Sequence, residues 1–140
     1  MSASEVATCF IDSNIWLYAF IESQDANKSR LASELVQTEQ PALSTQVVNE
    51  VCVNLLRKAD FSEEEIQELV AAFFKRYPVM PLNRDVLVRA SQLRTPYALS
   101  FWDSIVVSSA MQGGMPILYS EDMQDGLVVE EQLEIVNPFK

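Results

Sequence analysis

The sequence predicts an α/β fold, with one domain built on a short, mostly parallel central sheet flanked by helices. Segments with apolar residues at every third or fourth position alternate with short apolar runs rich in strand-forming residues. This alternation is typical of a parallel sheet that is covered on both faces. The 140 residues, 49% hydrophobic and 21% charged, fit one globular domain of ordinary size. We therefore expect a single domain over residues 1–140, without internal repeats or an interdomain linker.

Apolar periodicity and turn residues locate the elements of the first half of the chain. In order, they are a strand at residues 7–11, a helix from Asn14, a helix at 26–38, a strand or turn at 41–45 and a helix from there to about Lys58.

The second half continues the same alternation. The expected elements are a helix that starts in DFSEEEIQEL, an extended piece between Pro78 and Pro81, helices at Asn83–Leu93 and Ser100–Gln112, and strands at 116–120 and 133–136. Ser62 and Glu65 have the spacing of a capping box, and two glycines follow Gln112 as a helix stop.

Composition excludes several classes of protein. Histidine is absent, which rules out His-based triads and His-ligated zinc sites. A net charge of −10 argues against a broad basic surface for nucleic acid. No apolar run approaches the roughly 20 residues that span a bilayer, so we expect no membrane association. MSASEVATCF does not resemble a signal peptide, and Cys9 and Cys52 look like buried free thiols, so we expect a cytoplasmic protein.

Four acidic residues stand in surroundings that are otherwise apolar or directly follow a strand. Asp12, Glu50 and Asp103 lie in the long uncharged segments FIDSNIWLYAF, STQVVNEVCVNLL and LSFWDSIVVSSAM, and Asp122 follows the predicted strand PILYS. Burial of an unpaired carboxylate costs several kcal/mol or more. The sequence offers the first three no basic residue nearby on their own elements.

Each acid also has an ordinary structural interpretation. Asp12 and Asp122 suit turns or helix caps, Ser100 and Asp103 have capping-box spacing, and Glu50 lies at the edge of an apolar helical stripe. Taken together, the four indicate a different role. Like charges that converge raise one another's pKa, and a divalent cation relieves the repulsion. All-oxygen ligands suit Mg²⁺ or Mn²⁺, which can activate water and stabilise a phosphate during its transfer.

These segments resemble the motifs of the PIN domain, a metal-dependent nuclease fold, and in particular the single-domain bacterial group that contains VapC-type toxins. The similar segments are FIDSNIWLYAF, STQVVNEV, LSFWDSIVVSSA and LYSEDMQDG, in the family's order, and the terminal IVNPF is also similar. The resemblance covers nearly the whole chain.

The resemblance implies roles for individual residues. The acidic metal cluster would consist of Asp12, Glu50, Asp103 and Asp122, with Asp125 as the second choice for the fourth acid and Glu121 as the third. Asn14 would orient the first acid, and Ser120 would form a hydrogen bond near the cluster.

The activity implied is that of a metal-dependent endoribonuclease, which uses Mg²⁺ or Mn²⁺ to hydrolyse phosphodiester bonds in RNA and serves as the toxin of a toxin–antitoxin pair. A small antitoxin protein and a homodimer are the implied partners. Candidate cations for substrate phosphates are Lys28, Arg30, Arg84 and Arg94, although ordinary surface positions also explain them. Base stacking by aromatic residues is a further possibility. We expect Trp16, Tyr18, Phe101 and Trp102 to pack in the core, which leaves Tyr97, in a predicted loop, as the better stacking candidate.

Two alternatives remain at this point. A phosphatase of the haloacid-dehalogenase type also uses an Asp at the end of its first strand, but requires a second Asp where Asn14 stands and a lysine near the metal. The other alternative is a non-catalytic domain of the same fold that only binds a partner.

Overall fold

The computed structural model describes residues 7–21 and 25–140. Its elements, in chain order, are β1 (Cys9–Ile11), α1 (Ser13–Phe20), α2 (Ala26–Thr38), β2 (Pro41–Ser44), α3 (Thr45–Lys58), α4 (Glu63–Arg76), β3 (Val79–Met80), α5 (Arg84–Tyr97), α6 (Phe101–Gln112), β4 (Ile117–Tyr119), β5 (Val128–Val129) and β6 (Leu133–Val136). Most of the N-terminal stretch from which we expected no signal peptide lies outside the described residues.

The six strands form one sheet in the order β3-β2-β1-β4-β6-β5. Every neighbouring pair is parallel except β5 with β6, which is antiparallel. Helices connect β1 to β2, β2 to β3 and β3 to β4, whereas the parallel strands β4 and β6 are joined through the segment that contains β5. The predicted fold class, an α/β domain with a short, mostly parallel sheet flanked by helices, is confirmed. The two-residue strand β5 was not predicted.

The register of the central strands determines which residues meet at the edge of the sheet. Ile11 at the end of β1 pairs with Tyr119 at the end of β4. The next residue, Asp12, donates its backbone N–H to the Tyr119 carbonyl at 3.0 Å. The residues that follow β1 and β4 therefore lie side by side, at the carboxyl edge where open α/β sheets hold their ligands.

Side-chain caps begin the helices that surround this edge. Ser44 Oγ accepts from Val47 N at the start of α3, at 3.3 Å. Ser62 and Glu65 form the predicted capping box at the start of α4. At its other end, α5 runs one turn beyond the predicted Leu93 to Tyr97, and contains Pro96. Because a proline in the last turn forfeits only one hydrogen bond, the helix continues through it.

One large apolar cluster surrounds the central strands, and a smaller cluster is formed by Val86, Ala90 and Ile105 of α5 and α6. Phe10, Leu118 and Ile135 are fully buried in the sheet, and Trp16 packs edge-on to Phe73 with ring centroids 5.2 Å apart. Trp16 Nε1 donates to the Ile11 carbonyl at 3.0 Å, so its one polar group is satisfied.

Two predictions about aromatic residues are wrong. Phe101 and Trp102 are not core residues, since 54% and 62% of their surfaces are exposed. They occupy the first turn of α6, whereas the buried residues of that helix begin at Ser104. Tyr97 is not in a loop; it ends α5, and its hydroxyl accepts from Glu130 N at 2.9 Å.

Cys9 and Cys52 are free and buried, as predicted. Within the described parts of the chain, the helices are all too short or too polar to cross a bilayer.

Candidate active site

Asp12 lies at the N-terminus of α1 and is 8% exposed. Its Oδ1 accepts from Ser13 N at 2.8 Å, and its Oδ2 accepts from the Ser120 hydroxyl at 3.0 Å. Burial raises the pKa of Asp12 to about 6; the two hydrogen bonds oppose this rise, and the charges of Glu50 and Asp103 add to it. The two hydrogen bonds fix the orientation of the Asp12 carboxylate, while burial makes its charged form less favourable.

Glu50 projects from the middle of α3 toward the same place. Its Oε2 accepts from the Ser13 hydroxyl at 2.9 Å, and its Oε1 accepts from Gln46 Nε2 at 2.6 Å. The first bond joins α3 to the N-terminus of α1, 37 positions away in sequence. Ser13 and Gln46 were not predicted as site residues. The four-residue spacing of Gln46 and Glu50 on one helix face was the available signal for the second of them.

Asp103 lies in the first turn of α6 and is partly buried. Ser100 Oγ accepts from Asp103 N at 3.1 Å, so the predicted serine cap is present. Burial raises the pKa of the Asp103 carboxyl, the Ser100 side chain lowers it, and the charges of Asp122 and Glu50 raise it further. Asp103 thus has both a local cap and an electrostatic connection to acids on other elements.

Asp122 is exposed in the segment after β4, and its Oδ2 accepts a short hydrogen bond from Asn14 Nδ2. This contact corrects the expectation for Asn14, whose amide holds the fourth acid rather than the first. The first acid is instead held by Ser13 N and by Ser120, which lies where the resemblance implies. The difference arises because Asn14, one residue into α1, faces the β4 end of the site.

The two rival acids of this segment are engaged elsewhere. Asp125 Oδ1 accepts from Asn137 N at 2.8 Å, which ties the segment to the chain after β6. Glu121 forms an ion pair with Lys28 and accepts from the Tyr18 hydroxyl at 2.8 Å. The structure therefore groups Asp122, and neither Asp125 nor Glu121, with the acids of α3 and α6.

The grouping is electrostatic rather than a closed cage. Asp12, Glu50, Asp103 and Asp122 come from four elements, and their charges act on one another. Among the residues that the structure describes, no three acids or thiols are close enough to form a ready metal site. Protein donors occupy oxygens of Glu50 and Asp122. The oxygen donors suit Mg²⁺ or Mn²⁺ chemically, and a carboxylate oxygen that accepts one hydrogen bond retains a lone pair that a cation can use.

The four cations predicted to bind substrate phosphates have different contacts. Lys28 is paired with Glu121, and Arg30 with Glu34. Arg94 lies over the Phe101 ring at 4.5 Å and donates to Ser104 Oγ at 3.0 Å, which places it beside the Asp103 turn. Arg84 is exposed at the start of α5. Two of the four thus contact the sequence neighbour of a site acid: Lys28 contacts Glu121, next to Asp122, and Arg94 contacts Ser104, next to Asp103.

The sequence profile of the PIN domain matches residues 9–124. This range includes all four acids. No curated protein matches the chain significantly.

Solved structures share the fold at low sequence identity. A toxin–antitoxin complex from Klebsiella pneumoniae has a chain with a TM-score of 0.71 at 20% identity, over 94% of this chain and 98% of that one. VapC20 of Mycobacterium tuberculosis, described as a toxin that cleaves the sarcin–ricin loop, gives 0.68 at 16% identity, over 82% and 90%. VapBC2 of Rickettsia felis, bound to a promoter DNA fragment, gives 0.63 at 17% identity, over 93% and 99%.

Proposed function

The chain belongs to the PIN domain family, and on this premise we propose that it is a metal-dependent endoribonuclease, the toxin of a toxin–antitoxin pair. The observation that carries the proposal is the convergence of Asp12, Glu50, Asp103 and Asp122 at the carboxyl edge of the sheet. There the charges of Glu50 and Asp103 raise the pKa of Asp12, and those of Asp122 and Glu50 raise the pKa of Asp103. Carboxyl groups whose pKa is raised by neighbouring acids are typical of functional sites.

The proposed cofactor is Mg²⁺ or Mn²⁺, with the four acids as its ligands. When bound, the cation supplies a water of lowered pKa and neutralises charge on the phosphate. The chain's own residues prepare the ligands. Ser13 N and Ser120 Oγ orient the Asp12 carboxylate and stabilise its charged form, which is the form that binds a cation.

Substrate phosphates need positive charge near this acidic group. Arg94 is suitably placed, because it packs against Phe101 and Ser104 on either side of Asp103 in sequence. Its guanidinium can bind a phosphate oxygen through donors not used by Ser104.

The solved structures that share this fold support the proposed partners. They include toxin–antitoxin complexes from Klebsiella pneumoniae and Rickettsia felis, and a toxin described as cleaving the sarcin–ricin loop. We accordingly propose RNA as the substrate, a small antitoxin protein as the inhibitor, a homodimer as the assembly and the cytoplasm as the place of action.

Cleavage of single-stranded RNA by the purified protein tests the proposal. Cleavage should require Mn²⁺ or Mg²⁺ and stop in EDTA. It should fall by about 100-fold or more in Asp103→Asn, because loss of a group that only supports a metal ligand already costs about 10- to 100-fold. Glu34→Gln, an exposed acid on α2, is the matched control and should cleave normally. Full cleavage in EDTA, or by Asp103→Asn, would contradict a metal-dependent mechanism.

The alternatives make different predictions. Membership of the PIN family excludes a phosphatase of the haloacid-dehalogenase type. This chain also has Asn14 where such a phosphatase requires its second Asp. A non-catalytic binding domain predicts no metal-dependent cleavage. A toxin predicts growth arrest when the protein is expressed alone, no arrest with Asp12→Asn, and a small antitoxin gene beside its own.

A further inference from the structure

A groove of about 490 Å³ opens directly beside the acidic group. Its apolar walls are Val53, Leu82 and Trp102, and its amide side chains are Gln46, Asn49 and Asn54. The three apolar side chains are 42%, 44% and 62% exposed. An apolar surface of this kind, bordered by polar groups, is typical of a binding site.

The groove is continuous with the candidate active site. Glu50 lines it while also accepting from Ser13, the neighbour of Asp12. Trp102, which also lines the groove, directly precedes Asp103 in the first turn of α6. A molecule in the groove therefore lies between the backbone segments that present two of the four acids.

The polar lining includes a hydrogen-bonding atom that the protein leaves unused. Gln46 donates through Nε2 to Glu50, but its Oε1 is buried with no hydrogen-bond partner within the described part of the protein. The whole residue is only 7% exposed. A buried acceptor without a donor is unfavourable, and a small rotation of the amide would offer it to a ligand in the groove.

We propose that this groove binds an unpaired nucleobase of the RNA, stacked on Trp102, next to the phosphate that is cleaved. The inference rests on the proposed ribonuclease function and names the feature of the substrate that this site recognises. A nucleobase has a flat apolar face for the indole and a polar edge for the amides, which matches both parts of the lining.

The charge of the protein favours a base over phosphates as the source of binding. With 20 acidic and 10 basic residues, the chain has a net charge of −10, which opposes binding of the RNA backbone. Stacking is an uncharged contact that does not depend on a basic surface. Arg94, over the Phe101 ring next to Trp102, lies where the phosphate beside that base would pass.

Tryptophan fluorescence isolates this contact. The chain has two tryptophans, of which Trp16 is fully buried and Trp102 is exposed. In EDTA, a short single-stranded RNA should quench the Trp102 emission, whereas an oligomer of the same length without bases should not. Trp102→Phe should retain most of the binding, since a ring remains.

Cleavage kinetics give the second readout. Trp102→Ala should raise KM for RNA by about 5- to 150-fold, the range given by loss of one base–aromatic stack. Phe74→Ala, which removes an aromatic on α4 that is 55% exposed, is the matched control and should leave KM unchanged. Thermal melting of each variant verifies the fold.

The outcomes separate this inference from the proposed function. If the protein cleaves RNA but Trp102→Ala keeps its KM, or the base-free oligomer quenches equally, the base site is refuted and the nuclease stands. If no RNA is cleaved while bases still quench Trp102, the base site stands without the nuclease. A third outcome is that raising the protein concentration alone changes the Trp102 emission and that Trp102→Ala dissociates a dimer. The groove then holds a second copy of the chain, and the inference is overturned.

Discussion

Replacement of Asp12 by Asn should make the metal-free protein more stable, although it removes a residue of the proposed active site. Burial raises the pKa of Asp12 from its ordinary 3.8 to about 6. The folded protein therefore holds this proton more tightly than the unfolded chain does. Protonation of Asp12 therefore makes its full contribution to the free energy of unfolding below about pH 4, and this contribution is lost as the pH rises to about 6 and beyond.

The size of the effect follows from the same values. At about 1.4 kcal/mol for each tenfold change in proton affinity, the rise from 3.8 to about 6 corresponds to about 3 kcal/mol at neutral pH. The amide of Asn can still accept from Ser13 N and can donate to Ser120 Oγ, but it accepts less strongly than a carboxylate. We expect a net gain of about 1 to 3 kcal/mol at pH 7.5, which raises the melting temperature on the order of 5 °C.

Urea unfolding in EDTA, at pH 5.0 and at pH 7.5, measures this gain. The advantage of Asp12→Asn over the wild type should grow by roughly 1 kcal/mol between the two pH values. Glu34→Gln, which removes an exposed acid paired with Arg30, should show little change at either pH. If the difference in unfolding free energy does not grow with pH, or if Asp12→Asn is less stable than the wild type at pH 7.5, the pKa of Asp12 is not raised in the folded protein.

Three further substitutions separate positioning from folding. Ser120→Ala removes a donor to Asp12 Oδ2, so the pKa of Asp12 should rise further and the acidic limb of the kcat/KM profile for RNA cleavage should move to higher pH. Asn14→Ala removes the amide that holds Asp122, so half-maximal cleavage should require a higher Mn²⁺ concentration, while the melting temperature stays nearly unchanged. An unchanged Mn²⁺ requirement would show that Asn14 does not position Asp122 for the metal. Ser62→Ala breaks the capping box of α4 and should cost about 1 kcal/mol in urea unfolding without affecting cleavage.

Local signals predicted most of the fold. The strand before Asp12 and the capping box at Ser62 follow from short-range chemistry, in which apolar runs and cap residues act within a few positions. The isolation of Asp12, Glu50 and Asp103 in uncharged segments made them candidates for one site, because such a segment offers a carboxylate no local partner.

Features that depend on tertiary contacts were not predictable in this way. LSFWDSIVVSSA is apolar without a clear face, so it could not show that Ser104 and the residues after it are buried while Trp102 is exposed. Likewise, Val128–Val129 is too short to show a periodicity and forms a strand only by pairing with β6. The contact of Asn14 with Asp122 spans 108 positions and depends on the register of β1 and β4.

Titration of the metal-free protein with Mn²⁺, followed by calorimetry, tests most directly whether the four acids form one cation site. The wild type should bind Mn²⁺ at millimolar concentration or below, and Asp122→Asn should bind at least tenfold more weakly, as loss of a metal ligand implies. Asp125→Asn should bind as the wild type does, because that carboxylate is engaged with Asn137 N. If the wild type fails to bind at millimolar Mn²⁺, or if Asp125→Asn weakens binding as much as Asp122→Asn, the proposed site is wrong.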